Sequence, residues 1–172
     1  MNPELLKAIT FFTREEKIMS SLCVTCGDLM HAEYASDGES RPGVALSERT
    51  LYDLASATKL FTGMTVLALT ERGRIDLQKP VTAYDKRFEH LQDVPVETLM
   101  RFGADLKTPG RIDEQADAAN AESCLFQVRN AGLPGKRPYS DIPAMVLKYV
   151  IEGATGKSFY ENIRSMILEP AG

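Results

Sequence analysis

Ser56 and Lys59 stand three residues apart in "LASATKLFTGM", where an extended stretch gives way to a helical pattern. A serine hydroxyl is a weak nucleophile until a neighbouring base takes its proton. On a helix, positions i and i+3 share a face, so the lysine can sit beside the serine oxygen. The positive potential of a helix N-terminus favours an alkoxide and any oxyanion formed there. Crowding and nearby positive charge also lower a lysine's pKa. The pair therefore has the makings of a nucleophile and its base. The bland alternative is an N-cap serine and a surface lysine. S-x-x-K arises by chance about once in a chain of this length at average composition. Ser56 is the only serine here with Lys at +3.

The elements around the pair can be read from spacing. Leu5, Leu6, Ile9 and Phe12 predict an amphipathic helix over residues 3–15, with Pro3 in its first turn. Two strand-like runs flank Gly27-Asp28 and suggest a hairpin. "ASDGESRPG" has loop composition, and "VAL" and "LYDL" read as short strands or extended segments. Leu60, Phe61, Met64, Leu67 and Ala68 form a helical stripe after Ser56, with Gly73 as its stop. Residues 78–142 are weakly patterned, with a short helix near 95–102. "DEQADAANAES" reads as loop or marginal helix, and "AGLPGKRPYSD" as loop. Pro143 opens a helix through about Glu152, followed by a Gly153/Gly156 break. Ser158 and Glu161 have capping-box spacing. Phe159, Ile163, Met166 and Ile167 then form the stripe of a last helix, which Pro170 ends.

The chain has 172 residues, 44% hydrophobic and 26% charged, with a net charge of -4. That suits one domain, residues 1–172, able to bury a real core. The acidic balance argues against a nucleic-acid footprint and gives no electrostatic pull to an anionic membrane. No apolar run reaches membrane-spanning length, and the N-terminus lacks the pattern of a secretory signal. As written, the chain is expected to be cytoplasmic, or periplasmic or secreted if a signal was removed. Cys23, Cys26 and Cys124 are an odd count, against a disulfide framework. Cys23 and Cys26 are spaced C-x-x-C in a strand-like run, where residues three apart point to opposite faces. Buried thiols are the expectation there, and no metal or organic cofactor is called for. His31 and His90 are the only imidazoles.

Beyond the pair, the chain resembles the penicillin-recognising serine hydrolases. These comprise the serine β-lactamases, the D-alanyl-D-alanine peptidases and their esterase relatives. The resemblance is to the class C-like branch and rests on ordered motifs. They are "SATKLFTGMTVLALTERGRIDLQKPVTAY", then "PGKRPYSD", then "VIEGATGKSFYENIRSMILEPAG". It implies an α+β, β-lactamase/transpeptidase-like fold, a helical region packed on a partial antiparallel sheet. It implies an acyl-enzyme at Ser56, with Lys59 as proton acceptor and a β-lactam, D-Ala-D-Ala peptide or ester as small-molecule substrate. Tyr139 matches the Tyr of Y-x-N, which shuttles the proton to the leaving group. Asp141 stands where many members carry Asn, to orient Lys59 or contact substrate. An Asp there also holds Lys59 more firmly protonated. Without the flanking match, Tyr139 would be a loop aromatic and Asp141 a helix N-cap.

The sequence departs from the family in two places. "VETLMRFGADL" puts Phe102 and Gly103 where His and Thr are common, in a loop that supports the site. The family's third motif, Lys/His-Thr/Ser-Gly on a later strand, is expected beyond Gly172. "KTPG" at Lys107–Gly110 lies before Tyr139, in a loop-like context, and is not taken as that motif. The C-terminal strands of the sheet would then be missing from this portion. An unpaired edge on the N-terminal hairpin would invite self-association or a complementing chain. The competing expectation is a non-catalytic module or fragment that keeps the fold without a complete site.

Overall fold

The structure, a computed structural model, describes residues 3–16, 22–27, 32–47, 49–132 and 139–172. The chain divides into two compact units, Met1–Asp53 and Leu54–Gly172. Among the described residues, three two-stranded antiparallel sheets accompany the helices. No helix among them is long and apolar enough to cross a membrane.

The first unit opens with helix α1, Pro3–Glu15. Strands β1, Leu22–Gly27, and β2, Ala32–Asp37, pair antiparallel, with Cys23 opposite Ser36 and Cys26 opposite Glu33. Asp28 and His31, which fall between them in the sequence, lie outside the described residues. A second hairpin joins β3, Glu39–Arg41, where composition predicted a loop, to β4, Val44–Ala45, within the expected short strand or extended segment "VAL". Its signal was Pro42-Gly43. Proline fixes φ, and Gly43 takes a positive φ of 78°, as the central positions of a type II turn require. Ser40 Oγ donates to the Val44 carbonyl at 3.2 Å and the Gly43 N–H to the Glu39 carboxylate at 2.9 Å. Residues 51–54 form no strand.

In the second unit, a 3₁₀ turn, Ala55–Ala57, runs into α2, Thr58–Glu71. Gly73, with φ 66°, ends the helix as expected. The buried face of α2 is Thr62, Thr65, Val66 and Leu69, whereas Leu60, Met64 and Leu67 of the anticipated stripe are exposed. The helix is apolar on more than one face, so periodicity alone does not choose. Both buried threonines satisfy their hydroxyls on the preceding turn, at Thr58 and Phe61 carbonyls. Next come α3, Val96–Met100, and β5, Leu106–Lys107. Helix α4, Ala118–Phe126, falls in the stretch left between loop and helix. The Asp117 carboxylate caps it, accepting the Asn120 N–H at 2.8 Å. Strand β6, Arg129–Asn130, pairs with β5. Residues 133–138, most of the expected "AGLPGKRPYSD" loop, lie outside the described residues.

Helix α5 spans Ile142–Thr155 and is the spine of this unit, with Val146, Val150 and Ile151 fully buried. Gly153 does not break it. A Cβ at that position would stand 2.1 Å from the Tyr84 carbonyl oxygen, so glycine is what lets the two backbones approach. The stop is Gly156, in the left-handed conformation at φ 71°. Ser158 and Glu161 form the expected capping box at the start of α6, Phe159–Ile163. A π-helical turn, Arg164–Leu168, then leads into α7, Glu169–Ala171, so Pro170 lies inside the last turn and not after it. Behind α5, the rings of Phe88, Phe126 and Tyr149 meet edge to face with centroids 5.1–5.7 Å apart.

Candidate active site

Ser56 sits in the 3₁₀ turn ahead of α2, and its hydroxyl caps nothing. The N-cap positions belong to Leu54 and Ala57, neither with a side-chain cap bond. The residue before it, Ala55, has a positive φ of 42°, an uncommon conformation for a residue with a Cβ. Ser56 Oγ accepts two hydrogen bonds. Lys59 Nζ donates from 3.1 Å, one helical turn on. The Tyr139 hydroxyl donates from 2.8 Å, across 83 residues of chain. Asp141 holds the N-cap position of α5 but makes no cap bond there. Ser140 Oγ accepts the Ile142 N–H instead, at 3.2 Å. The Asp141 carboxylate is thereby left to pair with the Lys59 ammonium.

All four residues singled out in the sequence therefore converge at the junction of α2 and α5. The Lys59 side chain is mostly covered, at 17% exposure, while that of Asp141 is 63% exposed. Tyr139 is 67% exposed. Its ring is not unsupported. The Lys59 ammonium lies 4.9 Å from the ring centroid, and the Phe102 ring stacks on it with centroids 5.9 Å apart and planes 19° from parallel.

The charges act in one direction. The hydrogen bond from Lys59 to Asp141 holds the lysine above its ordinary pKa, with a further contribution from Tyr139. The hydrogen bond with Lys59 in turn lowers the Tyr139 phenol, helped by its bond to Ser56. A lysine kept as ammonium stabilises a neighbouring phenolate. The arrangement thus favours an ammonium at Lys59 and eases ionisation of the Tyr139 phenol.

Two cavities flank the group. One of about 350 Å³ includes Ser56, Lys59, Met145, Lys148 and Phe159. The other, about 640 Å³, includes Tyr139, Asp141 and Phe102. Lys107, Thr108 and Gly110, set aside at the sequence level, line this second cavity. Lys107 is on β5 and pairs with Asp105 at 3.0 Å. Sequence reasoning treated Phe102 only as a departure from the family pattern and did not place it against Tyr139. No local spacing links positions so far apart.

The chain is 28% identical over 132 residues to the teichoic acid D-alanine hydrolase of Staphylococcus aureus (strain MRSA252). That alignment takes in 74% of this chain and 32% of the relative. Among solved structures, FmtA from Staphylococcus aureus superposes with a TM-score of 0.77 at 24% identity, over 95% of this chain and 48% of that one. The class C β-lactamase of Rhodobacter sphaeroides gives 0.77 at 23% identity, over 95% and 47%. The D-amino acid amidase of Ochrobactrum anthropi SV3 gives 0.75 at 18% identity, over 91% and 47%. These share the fold, which is β-lactamase/transpeptidase-like. The chain spans about a third of the length of the curated relatives it matches and under half of these solved structures. Residues 19–172 match the family model described as Beta-lactamase, and the chain belongs to the beta-lactamase family.

Proposed function

We propose that this chain carries the acylation centre of a serine hydrolase, with Ser56 as nucleophile and Tyr139 as the group that takes and returns its proton. The observation that carries the reading is the convergence of Lys59 Nζ and the Tyr139 hydroxyl on Ser56 Oγ, at 3.1 and 2.8 Å. Lys59 stays an ammonium, held by Asp141. It lowers the phenol and faces the charge that develops on the serine oxygen.

In the forward step, the Ser56 oxygen forms a bond to the substrate carbonyl carbon while its proton passes to the Tyr139 phenolate. The backbone N–H of Ser56, at the helix start, supplies one oxyanion donor. Collapse of the tetrahedral intermediate breaks the bond to the leaving group, which takes the proton from Tyr139. Water repeats the sequence against the acyl-Ser56 ester and releases the acid. Penicillin-binding, carboxypeptidase and esterase chemistry all share these steps.

The substrate class favoured is a D-aminoacyl ester or amide. The curated relative is named for removal of D-alanine from teichoic acid, and one fold neighbour for D-amino acid amides. The 350 Å³ cavity at Ser56 suits a small acyl group. β-Lactams and D-Ala-D-Ala peptides are the competing donors.

The test is to incubate the 172-residue chain with a fluorescent penicillin and, separately, with an activated D-alanyl ester, and to read intact and peptide masses. One adduct on the peptide containing Ser56, lost in Ser56→Ala, is expected. An adduct that persists in Ser56→Ala, or none from either donor, overturns the reading in favour of a non-catalytic module.

A further inference from the structure

Helix α3 ends in a Schellman motif. The Phe102 N–H donates to the Leu99 carbonyl at 3.0 Å and the Gly103 N–H to the Thr98 carbonyl at 2.7 Å. The residue at the left-handed position is Phe102, with φ 51°. Glycine is the usual occupant, because a Cβ there crowds the backbone. A bulky residue in that conformation is an outlier. Glycine stands one position later, at Gly103, where a Cβ would meet Thr98 at 3.2 Å. The turn thus places an aromatic ring where the backbone least tolerates it.

What that ring touches is Tyr139, stacked at 5.9 Å between centroids. Tyr139 is 67% exposed, and an exposed aromatic residue has rotamers to choose among. The one it adopts sets its hydroxyl 2.8 Å from Ser56 Oγ. We propose that Phe102 is a positioning residue: the left-handed turn holds its ring against Tyr139, and the stack keeps the phenolic oxygen on Ser56. Strained backbone held in place beside a reacting group is where such roles are found. The inference rests on Tyr139 being the proton carrier proposed above.

Two ringless variants suit the left-handed turn and leave its path unchanged, Phe102→Gly and Phe102→Asn. Phe102→Tyr keeps the stack. Circular dichroism melts identify which variants are folded. The ionisation of Tyr139 is read as an ultraviolet difference titration of each protein against its own Tyr139→Phe version. The wild type and Phe102→Tyr are expected to titrate below the ordinary tyrosine value, and the ringless variants to move back toward it. Acylation by the activated ester should fall about 10²-fold in the ringless variants, the effect of a small misplacement of a reacting group, with apparent affinity for the ester little changed. Ringless variants that titrate Tyr139 like the wild type overturn the inference, as does an unchanged acylation rate. If no protein, wild type included, is acylated, the hydrolase reading falls and the titration alone decides the positioning role.

Discussion

Asp141 occupies the N-cap of α5 yet caps nothing there, because its carboxylate is bound to the Lys59 ammonium, 82 residues away. This pairing sets the protonation pattern of the whole site. Lys59 is kept charged, and its hydrogen bond is the first cause that lowers the Tyr139 phenol, ahead of the bond to Ser56.

Acylation of Ser56 is therefore expected to rise with pH along a limb whose midpoint lies below the ordinary tyrosine value of 10.0. In the proposed mechanism the reactive form is the phenolate, so the sign is an increase as the proton is lost. Tyr139→Phe should flatten the limb and slow acylation by about 10²–10⁴-fold. Lys59→Ala removes the first cause of the lowering, so its residual limb should move to higher pH. Rate profiles of the three proteins against pH check this, and a limb that survives in Tyr139→Phe assigns the base elsewhere.

Asp141→Asn separates the carboxylate's charge from its place. The main cause of the raised Lys59 pKa is lost, and so is the coulombic contribution by which Asp141 raises Tyr139. Both ionisations should shift downward. The rising limb is expected at lower pH than in the wild type, with a falling limb entering from the alkaline side as Lys59 deprotonates. An unmoved profile would show that Asp141 does not control the pair.

Gly153→Ala sets two effects against each other. In an exposed helix the change is worth up to about 1 kcal/mol of stability. Here the new Cβ would lie 2.1 Å from the Tyr84 carbonyl oxygen, so the two backbones must part. Overpacking of this kind costs about 1–3 kcal/mol or more and should win. A lower midpoint in urea unfolding is the expected outcome; a higher one means α5 can shift freely.

Tyr149 is buried, and its hydroxyl donates to Glu122 Oε1 at 2.7 Å. Burial and that bond raise its pKa far above 10.0. The neutral phenol is thus favoured by folding. Its contribution is full below about pH 10 and is lost as pH rises from there toward the folded-state value. Unfolding free energy measured between pH 9 and 11 should begin to fall at the alkaline end. Tyr149→Phe should be less stable at neutral pH yet lose less on alkalinisation. Parallel curves would place the sensitivity on another group.

The sequence by itself determined what local geometry controls. Ser56 and Lys59 meet because three residues on a helix span one turn, and Ser158 caps its helix on Glu161 for the same reason. The order of motifs along the chain was enough to indicate the family. Spacing could not choose the buried face of α2, since that helix is apolar on several sides and only its neighbours decide. Nor could it find the hairpin at Glu39–Ala45, although Pro42-Gly43 carried the signal. The approach of α5 to Tyr84 at Gly153 and the stack of Phe102 on Tyr139 were decided by tertiary structure alone. Each joins residues far apart in the chain, and their contact depends on how whole elements pack, a quantity that no window of sequence contains.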